Sequence, residues 1–486
     1  MANGPNERSP LLQNGHADSQ QDEPEIIDFS KEDGENPRNW PRRRKFVNVA
    51  IIAFMAILSP LASSMFTPGI SEIAKDLNTS DSIVVGATTG FVVFLGIGPL
   101  ILAPFSETFG RRKLYLVCFS IFALLQIPTA LSPNVGSLIG VRTISGFFGS
   151  VGIANGGGTI SDMFHPSERA GVFGWYLLGP LLGLTLGPLF GGIIVQNLGW
   201  RWIFWILTIV CSFNTIVGFF FLIESYPPAI LEARKKTYED LSENCHKTYR
   251  IAGQDDRPFW TKLAISMARP LRILFTQPIV LTMAVYQAIL FGTTYSLYTN
   301  FEAIYGELYG FDTTTVGLMY LGPGIGFLIA VWFIVPKIDT IYNYLARKNN
   351  VKAKPEYRLP LANIGAVFIP TSLFVFAWTV QYKVHFVVPL ISSAFFGLGQ
   401  IAILNTCQNY YIDSFEKYAA SAIAAGAVFR SIVGGILPIG ASQLFQSVGY
   451  GWGISVFAFL SLALSPAPLL FFYFGEGVRE RFAIEL

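Results

Sequence analysis

Apolar runs of about twenty residues, none with more than one charged residue, recur twelve times along the chain, and each is long enough to cross the roughly 30 Å hydrocarbon core of a bilayer as a helix. They fall at about 46–68, 83–104, 114–132, 136–160, 170–196, 201–223, 278–301, 315–336, 359–380, 385–410, 419–444 and 452–474. The pattern predicts an all-α integral membrane protein of twelve transmembrane helices. Landmarks between the runs also repeat. Asp162-Met-Phe164 separates two runs, a Gly/Pro-rich run follows, and Gly199-Trp-Arg-Trp202 opens the next. In the second half Asp413-Ser-Phe415, Gly434-Gly-Ile-Leu-Pro438-Ile-Gly440 and Gly449-Tyr-Gly-Trp452 come in the same order. Two pseudo-symmetric six-helix halves, 46–223 and 278–474, are the simplest reading of such an internal repeat.

Composition agrees with a membrane location. Charged residues make up 14% of the chain, apolar residues 52%, and the 42 Phe outnumber the 34 Lys and Arg together. A soluble domain would not keep that balance in water. The four cysteines are uninformative, since none has metal or disulfide spacing. A polar stretch precedes the first run, which is itself long enough to span, so no cleavable leader is expected.

Lys and Arg are unevenly divided between the connections. With the N-terminus inside, the inner connections hold Arg111, Arg112, Lys113, Arg169, most bases of 224–277, Lys337, Arg347, Lys348, Lys352, Lys354, Arg358 and Lys417, whereas the outer ones hold Lys75, Arg201 and Lys383. This positive-inside asymmetry puts both termini in the cytosol; the expected location is the plasma membrane, with the vacuolar membrane as the alternative. Asn78-Thr-Ser80, an N-glycosylation sequon, falls in the first outer loop.

Residues 1–45 read as a disordered cytosolic tail, poor in apolar residues. Within it Glu7-Arg-Ser-Pro-Leu11-Leu12 fits an acidic-dileucine sorting signal, or two stray leucines. Residues 224–277 read as a polar cytosolic linker with one short amphipathic stretch, Glu232–Glu239, and 475–486 as a cytosolic C-terminal tail.

Between the second and third runs, Ala103-Pro-Phe-Ser-Glu107-Thr-Phe-Gly110-Arg111-Arg112-Lys113 combines a turn glycine, a carboxylate and paired guanidinia. This resembles the loop signature of the major facilitator superfamily, with Glu107, Gly110, Arg111 and Arg112 matching. Ala103 and Thr108 depart from it. The resemblance implies a latch on the cytosolic side, with Glu107 near the start of the eleventh run at Tyr418 and the arginines on carboxylates such as Asp162.

Arg142, in Arg142-Thr-Ile-Ser-Gly146, lies inside the fourth run, where an unpaired guanidinium costs at least about 2.5 kcal/mol. Its surroundings resemble the family's membrane arginine motif with Ser145 in the usual Gln position, which implies a part in proton coupling; the alternative is an arginine snorkelling to the outer interface. Gly179, Pro180, Gly183, Gly187, Pro188, Gly191 and Gly192 resemble the antiporter signature of the drug-efflux branch and imply a bent, closely packed fifth helix and export. Further stretches, Asn36–Trp40, Pro355–Pro360 and Asp413–Ala422, are similar to the fungal twelve-span drug:H+ antiporter group.

For a substrate site between the halves, Ser63, Asn155, Tyr176, Gln287, Tyr295, Tyr298, Asn405, Gln408, Asn409 and Arg430 are the polar and aromatic candidates. No Asp or Glu falls at mid-depth in any run, so Glu302, Glu107, Asp162 and Asp413 at the helix ends are the remaining proton carriers. The expectation is a monomeric exporter of amphiphilic small molecules, with protons and membrane lipid as partners, and no cofactor, metal or nucleic acid. An ATP-driven pump or hydrolase is disfavoured by the absence of Gly-Lys, His-Glu-x-x-His and Gly-x-Ser-x-Gly patterns. A polyamine or nutrient carrier coupled to protons, or a transporter-like sensor, are the alternatives.

Overall fold

In a computed structural model of the protein, residues 25–30, 32–241, 249–251, 257–348, 354–415 and 419–482 are described; the dileucine stretch and Tyr418 lie outside them. Eleven apolar helical stretches are long enough to cross a membrane. The last, Ser421–Arg481, has 61 residues and holds two spans, because the backbone leaves the helical region at Gly449 (φ 78°, ψ 166°). The twelve expected spans are therefore present.

Spans 1 to 6 are Arg42–Ser64, Asp81–Phe109, Arg111–Ala130, Val135–Gly149 continued by Val151–Met163, Pro166–Leu198 and Arg201–Phe221. Span 7 is Pro278–Phe301, prolonged by a π-helical turn at Glu302–Leu308. Span 8 runs from Thr313 through Leu321–Ile329 and a second π-helical turn to Lys348. Span 9 is Ala362–Gln381 and span 10 Val387–Ser414; spans 11 and 12 follow, the latter ending in Ala467–Arg481. The face that carries the link between spans 6 and 7 is called proximal below, and the opposite face distal.

The turn glycines repeat with the halves. Gly199, between spans 5 and 6, has φ 85°, and Gly449, between spans 11 and 12, has φ 78°. Side chains with a Cβ rarely adopt this left-handed conformation, so glycine at both places reflects the same sharp reversal.

Packing depends on glycine as well. Lipid is as apolar as leucine, so helices associate through close backbone contact rather than through exclusion of water. Gly179, Gly183, Gly187 and Gly191, one turn apart, lie against Ile57, Leu61, Ser64 and Met65 of span 1; a Cβ at Gly179 would come 2.8 Å from the Ile57 side chain. Span 5 stays helical through Pro180 and Pro188, each of which removes one N–H from the ladder. Its glycine stripe is a packing face first. Gly192, on the next face, meets the Thr313 carbonyl of span 8. In the second half Gly434 packs on Phe291 and Gly292 of span 7, and Gly435 meets the Thr89 carbonyl of span 2. The 5-to-1 and 5-to-8 contacts thus recur as 11-to-7 and 11-to-2.

Three expectations change at the proximal face. Span 8 does not end near 336: Val335–Lys348 continues as an amphipathic helix with Arg347 and Lys348 in its last turn, where they complement the helix dipole. The last helix runs to Arg481, held by Arg479 to Glu356 at 3.1 Å and by Glu476 to Lys354 at 2.5 Å. The tail is ordered where it is described. Glu25–Ile27 pairs in parallel with Tyr249–Ile251, and Arg234 of the link helix Pro227–Leu241 binds Asp33 at 2.8 Å and Glu35 at 2.5 Å. Ile27 and Leu231 are buried against Phe29. Composition alone hides this order because each partner lies some two hundred residues away.

Arg234→Ala is expected to release residues 25–35 from the link, raising amide exchange at Ile26 and Ile27 roughly tenfold at neutral pH. The Arg234 hydrogen bond holds the Asp33 carboxyl below its ordinary 3.8. The wild-type clip is therefore intact above that value and weakens only as the pH falls through the lowered native one. Exchange that is equal in variant and wild type at pH 7 would remove Arg234 as the clasp.

Candidate functional site

A cavity of about 230 Å³ lies at the seam between the halves. Pro60, Gly96, Pro99, Leu177, Pro180 and Leu181 wall it from the first half; Gln287, Phe291, Tyr295, Gln400, Asn405, Gln408 and Arg430 wall it from the second. It is mostly apolar with a few converging polar groups, the usual make-up of a small-molecule pocket. No carboxylate is among the lining residues.

Among the described residues, the hydrogen bonds between the halves lie at the cavity or distal to it. The Ser63 and Tyr295 hydroxyls are 3.1 Å apart, the Thr89 hydroxyl donates to the Gly435 carbonyl at 2.6 Å, and the Thr314 N–H donates to Gln196 Oε1 at 2.8 Å. A Cβ at Gly317 would sit 2.9 Å from the Pro188 carbonyl oxygen. Backbone-to-backbone approach of spans 5 and 8 leaves no room for a ligand on that side. On the proximal side the described seam is carried by aromatic contact: Phe259, on the link helix Phe259–Thr276, meets Phe105 and Phe109 of span 2 with centroids 5.0 and 6.0 Å away.

Of the ten nominated substrate residues, Gln287, Tyr295, Asn405, Gln408 and Arg430 line this cavity, and Ser63 caps it through Tyr295. Four do not line it. Tyr176 turns its hydroxyl to the Gly152 carbonyl at 2.5 Å, and Asn155, on the same face of span 4, is buried. Tyr298 packs edge-on against Tyr320 at 4.9 Å, and Asn409 donates to the Asn405 carbonyl one turn back at 2.9 Å. Gln400, which accepts from the Thr294 hydroxyl at 3.0 Å, lines the cavity without having been nominated.

Arg142 is fully buried, so it does not snorkel. One nitrogen donates to the Ala62 carbonyl at 3.2 Å; its carbon lies 4.7 Å from the ring centres of Phe66 and Phe91 and 5.5 Å from that of Phe204. Nε and Nη1 have no hydrogen-bond partner. An aromatic cage offsets part of the desolvation through the ring quadrupoles, which is the favourable setting for a cation without a carboxylate. Ser145, in the position where the motif carries Gln, accepts from Gln126 of span 3 at 2.8 Å, so an amide reaches the same place from the neighbouring helix.

The proximal loop is assembled around a residue outside the motif. Arg111 binds Asp162 through Nε at 3.1 Å and Ser106 through Nη1 at 2.5 Å. Its guanidinium also lies 5.1 Å from the Tyr226 ring. Arg112 donates to the Phe219 carbonyl at 2.8 Å. Glu224 then accepts from the backbone N–H groups of Arg111 and Arg112 at 2.9 and 3.0 Å, capping the start of span 3, and from those of Ser225 and Tyr226 at 3.1 and 3.0 Å. Gly110 (φ 91°) is where Glu224 enters: a Cβ there would fall 2.6 Å from its carboxylate. Glu107 itself is exposed; burial, with the Glu107 charge as a second cause, pushes the Tyr226 phenol up to about 12. The second half repeats the pairing, with Arg358 bound to Asp413 at 2.7 Å and also to Asp339.

Glu302 opens the π-helical turn at the distal end of span 7, with one carboxylate oxygen buried and unpartnered. Glu307, Lys75, Asp312 and Asp81 surround it electrostatically, Lys75 and Asp81 from the opposite half. Asn78 is exposed on the same face, in a left-handed turn with φ 49°.

A sequence profile described as Major Facilitator Superfamily matches residues 52–438. Relatives include the MFS-type transporter tndD of Aspergillus flavipes, 37% identical over 98% of this chain and 89% of that protein. The efflux pump radE of Floropilus chiversii is 38% identical over 96% and 87%. Among solved structures, the xylose transporter XylE from E. coli superposes with a TM-score of 0.65 at 14% identity, over 89% of this chain and 98% of that one. At that identity the likeness concerns the fold.

Glu224→Ala is expected to lower stability by about 2 kcal/mol, the upper range for loss of a helix cap. Glu224→Gln, which still accepts, loses less. A thermal-unfolding series in detergent checks the order; equal melting temperatures for all three proteins would refute the capping role.

Proposed function

The chain belongs to the major facilitator superfamily, and we propose that within it the protein is a secondary active exporter of amphiphilic small molecules working by alternating access. One observation carries the reading: the cavity is walled by both halves, tightly packed toward the distal face and lined by apolar groups with a handful of polar ones. Rocking the halves about such a seam exposes the cavity to each face in turn. The span 5 glycine stripe, which resembles the efflux signature, and the fungal relative named as an efflux pump support export over import.

In this reading the proximal face is cytosolic, since it carries most of the basic residues. Glu107, Gly110, Arg111, Arg112 and Asp162 form the cytosolic latch, with Glu224 as its cap and Asp413 with Arg358 as its counterpart. Arg142 acts as a buried positive charge whose cage opens and closes with span 1, to which its single hydrogen bond is made. Glu302 is the carboxylate best sited to take a proton. Its orphaned buried oxygen is stable when protonated, and opening of the distal seam would hydrate and ionise it. Asn78 is the glycosylation acceptor on the outer face.

Reconstituted in proteoliposomes, the wild type is expected to move a planar aromatic amphiphile when a pH gradient is imposed, and Arg142→Ala to lose at least about tenfold of that flux. Glu302→Gln should keep exchange of labelled for unlabelled substrate while losing the response to the gradient. Gradient-driven flux that survives Glu302→Gln would move proton binding elsewhere, and absence of flux in the wild type would remove the export reading.

A further inference from the structure

Arg430 places an unbalanced charge on the cavity. Its guanidinium lies against the pocket from the middle of span 11, 5.1 Å from the Phe291 ring, with no ion pair or hydrogen bond among the described residues, and its Nε is buried without an acceptor. The phenols of Tyr295 and Tyr411 are its polar neighbours, and both are neutral at physiological pH. Gln287 also lines the pocket, but its Nε2 is buried beside the Tyr411 phenol and the Cys407 thiol. The Arg430 charge is thus left without a fixed acceptor. Arginine does not shed its proton in a protein, and a desolvated guanidinium is costly unless an anion or water faces it.

We propose that the transported molecule is an amphiphilic anion whose acidic group, a carboxylate, phenolate or enolate, docks on Arg430, while its apolar body lies among Pro60, Leu181 and Phe291. The inference rests on the reading of this cavity as the substrate site and narrows it. A charged oxygen accepting from guanidinium is roughly twice as strong a partner as a neutral one. The same charge disfavours cations: with no lining carboxylate, a polyamine or quaternary amine would enter against a fixed positive field. Because the acid replaces water on Arg430 and returns it on release, the group selects for charge without trapping the ligand.

The test compares three probes of matched size on purified protein in nanodiscs by equilibrium dialysis: 1-naphthaleneacetate, its methyl ester, and 2-(1-naphthyl)ethylamine. The acid is expected to bind about tenfold or more tighter than the ester, and the amine most weakly. Arg430→Gln should abolish the advantage of acid over ester, and Arg430→Lys, which retains the charge without the fork, should keep part of it. If Arg430→Gln does not fold, the lysine variant and the amine comparison decide the matter. Equal affinities of acid and ester for the wild type, absence of acid binding, or tighter binding of the amine would each overturn the proposal. A charge preference that depends on Arg430, together with no flux under a pH gradient, would uphold the anion site and remove proton-driven export instead.

Discussion

Taking a guanidinium out of water is the constraint around which this protein is arranged, and it is met in three ways. Arg111 and Arg358, at the proximal ends of the halves, each bind a carboxylate from the end of the fourth helix of their half, Asp162 and Asp413. These pairs fix loops and are compatible with a static structure. Arg142 has three aromatic rings and one carbonyl, which lowers its cost without pairing its charge. Arg430 has one ring and an open cavity. The further a guanidinium stands from a fixed counter-charge, the more its free energy depends on what else is present, and the closer it lies to the central cavity.

Movement and assembly draw on the same small residues. Gly191 lies against span 1 within its own half, while its neighbour Gly192 meets span 8 of the other. Gly434 and Gly435 divide their contacts between span 7 and span 2 in the same way. Adjacent residues on one helix therefore carry the lock inside a half and the seam between halves. Contact at this distance is sensitive to a few tenths of an ångström, so a small rotation of span 5 or span 11 separates the seam while the inner lock persists. Pro180 and Pro188 interrupt the hydrogen-bond ladder of span 5.

Much of this was legible in the sequence, because membrane spans are written in runs of residues and repeats in their punctuation. The twelve spans and the duplicated halves follow from local residue types, and the Arg111 to Asp162 pairing from the family resemblance of the loop. Facing was not legible. Spans 5, 7, 10 and 11 carry no single apolar face, so periodicity does not say which polar residue points inward; Tyr295 and Gln408 reach the cavity, while Tyr298 packs on Tyr320 of span 8 and Asn409 bonds back to its own helix. Long-range partners were hidden for a different reason. Glu224 stands in a polar link, 113 residues from the backbone group it caps, and Glu35 sits 199 residues before Arg234. In each case one charged residue in a polar segment carries no local signal of its partner.

The missing midplane carboxylate then acquires a physical reason. An acidic residue beside Arg430 would form the permanent pair seen at Arg111 and Arg358, and it would compete with the acid group of an anionic substrate for the same guanidinium. A cavity meant for anions should therefore lack Asp and Glu, as the lining here does. Energetics point the same way. A membrane potential that is negative on the cytosolic side drives each expelled negative charge by about 2.3 kcal/mol per 100 mV. An exporter of anions gains from that field before any proton moves, so it has less need of the deep acidic carrier that a cation exporter requires. Proton binding at the rim, by a residue such as Glu302, would then bias the gate rather than carry charge through the centre.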